Sequence, residues 1–265
     1  MLIDFHAHTF LDKLAPGAIA SLAAKAHLTP RADGTVSGTK RLMRAEGVDK
    51  FVALSIAVSP RSERHVNDFA ISLLQDEMIE PFGSVHPDSE NALSELERLR
   101  AAGVKGIKFH NEYQNFYVDD DRAFPIYERC AKLGFIMLFH GGADWGFEPP
   151  VKTTPKRMRR VCEAFPEAKI VVAHLGGQDM QEEAIDQLLP TNAMIDTSFT
   201  GSFVPAEVCR RSVLAFGFDR VLFGTDCPWD TPAVTLRYLQ GMGFSEEGMR
   251  KICSENALRL LGERS

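Results

Sequence analysis

Two histidines one residue apart, His6 and His8, end the apolar run that opens this chain, Met1-Leu-Ile-Asp-Phe-His-Ala-His8. In an extended segment residues i and i+2 share a face. The two imidazoles would therefore address one point, a way to hold a metal ion from rigid backbone. Six of the eight histidines stand at or just beyond the ends of apolar, β-rich runs: His6, His8, His86, His110, His140 and His174. One histidine in such a place is ordinary packing; six in equivalent places point to a shared site. A further run, Arg220-Val-Leu-Phe-Gly-Thr-Asp226, ends in a carboxylate. A carboxylate beyond an apolar strand is costly without a partner. A cation or a facing histidine would supply one; the competing role for Asp226 is to cap a helix starting near Pro228–Thr231.

The elements that must position these groups alternate regularly. Eight apolar runs are legible: Leu2–His6, Lys50–Ala57, Glu80–His86, Val104–His110, Gly134–His140, Lys169–His174, Asn192–Thr197 and Arg220–Thr225. Helical periodicity fills Ser89–Ala102, with Ser89 as cap and Gly103 as stop, then Arg122–Leu133 ending at Gly134 and Val204–Phe216 ending at Gly217. Thr231–Gln240 and Ser245–Leu261 read as extra closing helices. Strands alternating with helices imply βαβ units and a parallel sheet. Eight units predict an α/β fold of the (β/α)8 TIM-barrel type, regular or distorted, as a single domain over residues 1–265. Thr29–Gly38 and Gly141–Pro155 read as loops, the second at the mouth where barrel strands end. Strands 1 and 8 would be neighbours in a closed barrel, which would bring Asp226 beside His6 and His8.

A chain of 265 residues with 45% hydrophobic and 25% charged residues suits a globular fold, and a net charge of −6 offers no footprint for nucleic acid or an anionic membrane. The five scattered cysteines form no Cys-x-x-Cys pair. A reduced, cytoplasmic setting is expected, with no signal peptide and no membrane span. The expected partner is a small-molecule substrate, with a homodimer as the candidate assembly.

Motif wording narrows the chemistry. Ile3-Asp-Phe-His-Ala-His, Gly106-Ile-Lys-Phe-His, Phe139-His-Gly-Gly, Val172-Ala-His-Leu-Gly-Gly and Leu222-Phe-Gly-Thr-Asp-Cys-Pro-Trp together resemble the amidohydrolase superfamily. Within it they are similar to the amidohydrolase-related (amidohydrolase 2) family, which includes the aminocarboxymuconate semialdehyde decarboxylase-like enzymes. The resemblance runs from residue 2 to about 230 and implies that His6, His8, His140 and Asp226 surround one divalent metal, Zn²⁺ first and Mn²⁺ second. Asp226 would move the proton, and His174 would orient water or polarise the substrate. Zinc takes imidazole and carboxylate and keeps an open position in catalytic sites, lowering its water's pKa toward about 7.

Lys108 alternates with Ile107 and Phe109, so it faces inward with His110. A carboxylated Lys108 bridging a second metal, as in binuclear members of the superfamily, is the disfavoured alternative; a buried amine or substrate contact is expected. Arg61, His110, Tyr113 and Trp145 are further substrate-contact candidates, with a supporting hydrogen-bond role as the equal alternative for His110, and His86 reads as structural. The Gly-Gly pairs after His140 and His174 serve close backbone approach or simple tight turns. The favoured reading is a metal-dependent hydrolase of an amide, ester or lactone-type bond. The alternative is a non-oxidative decarboxylase of an unsaturated or aromatic carboxylic acid; a metal-dependent phosphoesterase or nuclease ranks third.

Overall fold

The computed structural model describes residues 1–263. All eight anticipated strands are present, most of them shorter, with β1 ending one residue later and β3 starting one residue earlier than expected: β1 Ile3–Ala7, β2 Lys50–Leu54, β3 Ile79–Phe82, β4 Gly106–Phe109, β5 Ile136–Phe139, β6 Lys169–Val172, β7 Met194–Asp196 and β8 Val221–Leu222. Every pairing is parallel, in the order β1-β2-β3 and β4-β5-β6-β7-β8. Two seams join these sheets into a cylinder. At one, Phe5 N donates to Phe223 O at 2.8 Å and Asp226 N to His6 O at 2.8 Å. At the other, Gly83 N donates to Gly106 O at 3.0 Å and Lys108 N to Gly83 O at 2.8 Å. The fold is the expected TIM barrel.

Helices surround it: α1 Ala15–Ala26, α2 Val36–Ala45, α3 Pro60–Leu73, α4 Ala92–Ala102, α5 Asn111–Gln114, α6 Phe124–Lys132, α7 Pro155–Ala164, α8 Gln181–Leu188, α9 Ala206–Phe216, α10 Pro232–Gln240, α11 Glu246–Arg250 and α12 Asn256–Leu261. The closing segment is helical from Glu246 to Leu261 as expected, with a π turn at Lys251–Glu255 between α11 and α12. Two local expectations are corrected. Ser89 does not cap α4; its hydroxyl donates to Glu63 Oε1 at 2.7 Å, and Asn91 precedes the helix without a side-chain cap. The loop assigned to Thr29–Gly38 ends early, since Thr35 accepts from Gly38 N and starts α2 at Val36.

Strand alternation sorts the core. Phe5, Val52, Leu54, Phe82, Leu138 and Val171 fill the barrel interior, where Leu258 and Leu261 of α12 join them. Ile107, Phe109, Met137 and Phe139 belong to the outer layer against the helices. That alternation turns Lys108 inward. Gly106 faces inward too, and a Cβ there would lie 2.3 Å from the Phe82 ring, so the missing side chain makes room for Phe82. A register irregularity in β1 between Asp4 and Ala7 resets the phase of the strand. Phe5 can therefore fill the interior while His6 and His8 both address the mouth.

Candidate metal centre

The strand ends meet at a cavity of about 430 Å³ whose lining includes His8, Lys108, His110, His140, His174 and Asp226. His6 lies beneath, fully buried. Asp226 Oδ1 is 3.2 Å from His6 Nε2 and 3.3 Å from His8 Nε2. Asp226 is not the cap of the next helix; Thr231 performs that role for α10.

Hydrogen bonds on the far side of each ring decide which nitrogen is free. His6 Nδ1 donates to Asp196 Oδ2 at 2.8 Å, and His8 Nδ1 donates to Leu54 O at 3.2 Å. Each Nε2 is then a lone pair aimed at a carboxylate oxygen. Two lone pairs and a carboxylate converge favourably only around positive charge. Donors about 2.0–2.2 Å from a tetrahedral ion stand about 3.3–3.5 Å apart, which matches the spacing here. The residues present fit a divalent metal.

The predicted fourth ligand, His140, falls into a second group with His110 and Asp144 rather than into the His6, His8 and Asp226 group; within each group the ligand atoms lie within 4.8 Å of one another. His140 Nδ1 donates to His174 Nε2 at 3.0 Å, His174 Nδ1 to Ser198 Oγ at 2.9 Å, and Ser198 Oγ to Asp196 Oδ1. Asp196 thus terminates both this relay and the bond from His6. The relay leaves His140 Nε2 buried without a partner, a lone pair suited to a cation. It also changes the reading of His174. Both its nitrogens serve protein partners, so it positions His140 and has none free to orient water or polarise a substrate. His110 stacks on His140 with centroids 4.2 Å apart, and its Nε2 is 3.2 Å from Asp144 Oδ2.

Electrostatics favour neutral imidazoles. Burial lowers His8, carries His110 and His140 well below the ordinary histidine value, and takes His174 to about 4. His6 goes the other way: burial and the Lys108 charge oppose protonation, but the Asp196 and Asp226 carboxylates outweigh them and draw positive charge to the ring. Burial opposes ionisation of Asp226, yet the facing His6 and His8 hold it well below the carboxylate range. Burial also opposes Asp196, which His6, His174 and Ser198 bring to about 2. Lys108 is fully buried with Nζ 3.4 Å from His6 Nε2; burial pushes it down to about 8, against the pull of Asp226, Asp196 and Asp144.

Backbone strain concentrates at the same rim. His174, Phe199 and Asp226 adopt φ of 59°, 58° and 66°, a left-handed region costing L residues roughly 1–2 kcal/mol each. Gly142 meets both readings of its pair: its φ of 77° is a left-handed turn conformation, and a Cβ there would lie 2.2 Å from Gln178 N, so it also permits close approach between the loops after β5 and β6.

Among the substrate-contact candidates, Tyr113 and Trp145 line the cavity. Trp145 Nε1 donates to Asp179 Oδ2 at 2.8 Å, and its ring meets Phe199 edge-on at 5.0 Å. Arg61 does not line it. Helical spacing in α3 turns Ser62, His65, Val66 and Phe69 to the cavity and leaves Arg61 exposed. His86 also lies outside the lining, receiving Asp88 N at its Nδ1 at 3.2 Å. Sequence reasoning missed Asp196 and Ser198. The signal was present: Met194-Ile-Asp196 is an apolar strand ending in a carboxylate, the pattern that identified Asp226.

The family model described as amidohydrolase matches residues 3–262. The chain is 22% identical over 177 residues to a dihydroorotase of Shewanella woodyi, covering 56% of this chain and 52% of that protein. It is 25% identical over 210 residues to the 2-amino-3-carboxymuconate-6-semialdehyde decarboxylase of Dictyostelium discoideum, covering 66% of this chain and 58% of that protein. The chain thus spans a little over half the length of these curated relatives. Its fold matches that of 5-carboxyvanillate decarboxylase from Novosphingobium aromaticivorans, solved with manganese and 4-hydroxy-3-methoxy-5-nitrobenzoic acid. The TM-score is 0.75 and the identity 19%, over 99% of this chain and 96% of that one.

Proposed function

This chain belongs to the amidohydrolase family, and on that premise we propose that it is a metal-dependent, non-oxidative decarboxylase of a small aromatic or unsaturated carboxylic acid. One observation carries the choice over hydrolysis: the donors His6, His8 and Asp226 stand beside a buried cation, Lys108. That arrangement suits a substrate anion with a neighbouring oxygen. The decarboxylase names of the Dictyostelium relative and the Novosphingobium structure support it.

His6, His8 and Asp226 would hold the metal, with His140 Nε2 as the further donor turned toward the cavity. The manganese in the neighbouring structure supports Mn²⁺ beside Zn²⁺ as candidates. When bound, the ion supplies positive charge that fixes and polarises a substrate oxygen. The Lys108 ammonium faces the carboxylate, while His110, Tyr113 and Trp145 confine the body of the molecule. Apolar walls keep bulk water from the carboxylate and favour neutral CO₂ over localised charge. The carbon–carboxylate bond breaks, its electron pair stays on carbon, CO₂ leaves, and Asp226 relays a solvent proton to that carbon. His174, Ser198 and Asp196 keep His6 and His140 in their tautomers.

The test is metal-reconstituted protein with a panel of aromatic and muconate-type acids, esters and lactones. CO₂ release without ester or lactone hydrolysis supports the reading. Hydrolysis without CO₂ overturns it and returns the site to the chemistry that the dihydroorotase resemblance suggests.

A further inference from the structure

The polar groups at the cavity floor account for only part of its lining. Much of the remaining lining is apolar: Leu22 and Ala26 come from α1 and Val66 and Phe69 from α3, beside Ser62 and His65 of that helix, with Leu54 and Phe10 also in the lining. The volume of about 430 Å³ lies within the range of pockets that enclose whole organic ligands, roughly 300–1,000 Å³. Large apolar side chains also stand open to solvent around its mouth: Leu11, Leu14, Val58 and Trp145 are 40–56% exposed. They are half of the eight large apolar side chains exposed among the described residues. Such clustering marks a binding surface rather than scattered surface apolarity.

Charge limits what that surface binds. Among the described residues, Lys108 is the only lysine or arginine lining the cavity, and it sits fully buried at the floor. The lining carboxylates, Asp144 and Asp226, would repel a second anionic group. The α1 wall is also held in place: Lys25 Nζ lies over the Phe147 ring at 3.2 Å and over Tyr113 at 4.9 Å, tying α1 to the loops after β4 and β5.

We propose that the substrate is an amphipathic monoanion. Its carboxylate and adjacent oxygen meet Lys108 and the metal ligands, and its uncharged alkyl or aryl tail lies between α1 and α3. This inference rests on the decarboxylase reading and specifies its substrate class. A second carboxylate would find no lysine or arginine beyond Lys108 in the lining among the described residues, and a bare ring would leave the α1–α3 wall in water.

The probes are 2,4-dihydroxybenzoic acids carrying methyl, propyl or pentyl at position 6, titrated into the metal-reconstituted full chain. Quenching of Trp145 and Trp229, both in the lining, reports binding, and CO₂ release reports turnover. Affinity should rise with tail length by up to about fourfold per methylene. Benzene-1,3-dicarboxylic acid should bind more weakly than the methyl member. Ala26→Trp, which fills the tail region, should collapse the pentyl-to-methyl affinity ratio toward unity. Leu22→Ser reads the same ratio if Ala26→Trp does not fold.

Length-dependent binding without CO₂ upholds the tail site and overturns the decarboxylase reading. CO₂ release with a flat length profile does the reverse. Tighter binding of the dicarboxylic acid overturns the monoanion. A flat profile in a protein that sediments as a dimer assigns the wall to a second copy and overturns the tail site.

Discussion

Asp196 Oδ2 accepts a hydrogen bond from His6 Nδ1 at 2.8 Å, although β8 separates their strands in the barrel wall. The gap they cross exists because position 224 is glycine. A Cβ on Gly224 would lie 2.9 Å from His6 Cβ and 3.6 Å from Asp196 Cβ. A carboxylate behind a metal-directed imidazole fixes its tautomer and raises its basicity. Here the same carboxylate also receives His174 N at 3.0 Å and Ser198 N at 3.1 Å.

Asp196→Asn should fold and lose metal affinity by about 10–100-fold, the usual cost of removing such a partner. The amide offers one acceptor where two are used, so it cannot serve both His6 and the His174–Ser198 relay. Competition with a chelator measures the change; unchanged affinity would show that His6 needs no anchor.

Asp226→Asn should keep the fold and lower turnover by at least about 10²–10⁴-fold, the range for a positioned proton-transfer group. His6→Ala should lower metal content. Adding metal should raise Tm for the original chain, since a ligand at 100 times its Kd stabilises by about 2.7 kcal/mol, and much less for His6→Ala. Elemental analysis and thermal melts check both. Full activity in either variant would sink the site assignment.

Gly224→Ala should cost about 1–3 kcal/mol through overpacking against His6 Cβ. That corresponds to a Tm drop of roughly 2–12 °C. Metal affinity should fall in the same variant, because His6 is pushed from Asp196. Loss of stability with intact metal binding would place the strain elsewhere.

Glu63→Gln should change how stability depends on pH. Burial raises Glu63 above its ordinary 4.5, outweighing the bonds from His86 N at 2.8 Å and Ser89 Oγ at 2.7 Å. A carboxyl with a raised folded pKa favours the native state when protonated, below 4.5, and that contribution fades as pH rises through the folded value. The variant should therefore gain stability relative to the original as pH climbs from 4 to 8. Thermal melts across that range test it, and a variant that loses stability relative to the original as pH climbs would reverse the sign.

Strand number, parallel order and the barrel were legible because period and spacing are local. Apolar runs of five to eight residues between amphipathic stretches allow few other arrangements. The same rule placed Lys108 inward beside His110, and the apolar run ending in Asp226 marked the acid of the site. Ser89 misled because its hydroxyl had a better partner in Glu63, contributed by a different helix. The α2 start was missed because Thr29–Gly38 carries turn residues, while the Thr35 cap is visible only in its bond to Gly38.

The sequence by itself determined which chemistry the chain could do: imidazoles and a carboxylate at strand ends, set by alternation along each strand. Tertiary structure decided which of them meet. Closure of the barrel set Asp226 between His6 and His8, and the β1 irregularity turned both rings to the mouth. The Asp196–Ser198–His174 relay, built from β7 and the turn after β6, left His140 Nε2 buried without a partner. Helical phase in α3 sent Arg61 to solvent and Val66 and Phe69 inward. These outcomes depend on distances between residues up to 220 apart in the chain, as His6 and Asp226 are, and no local pattern carries such distances.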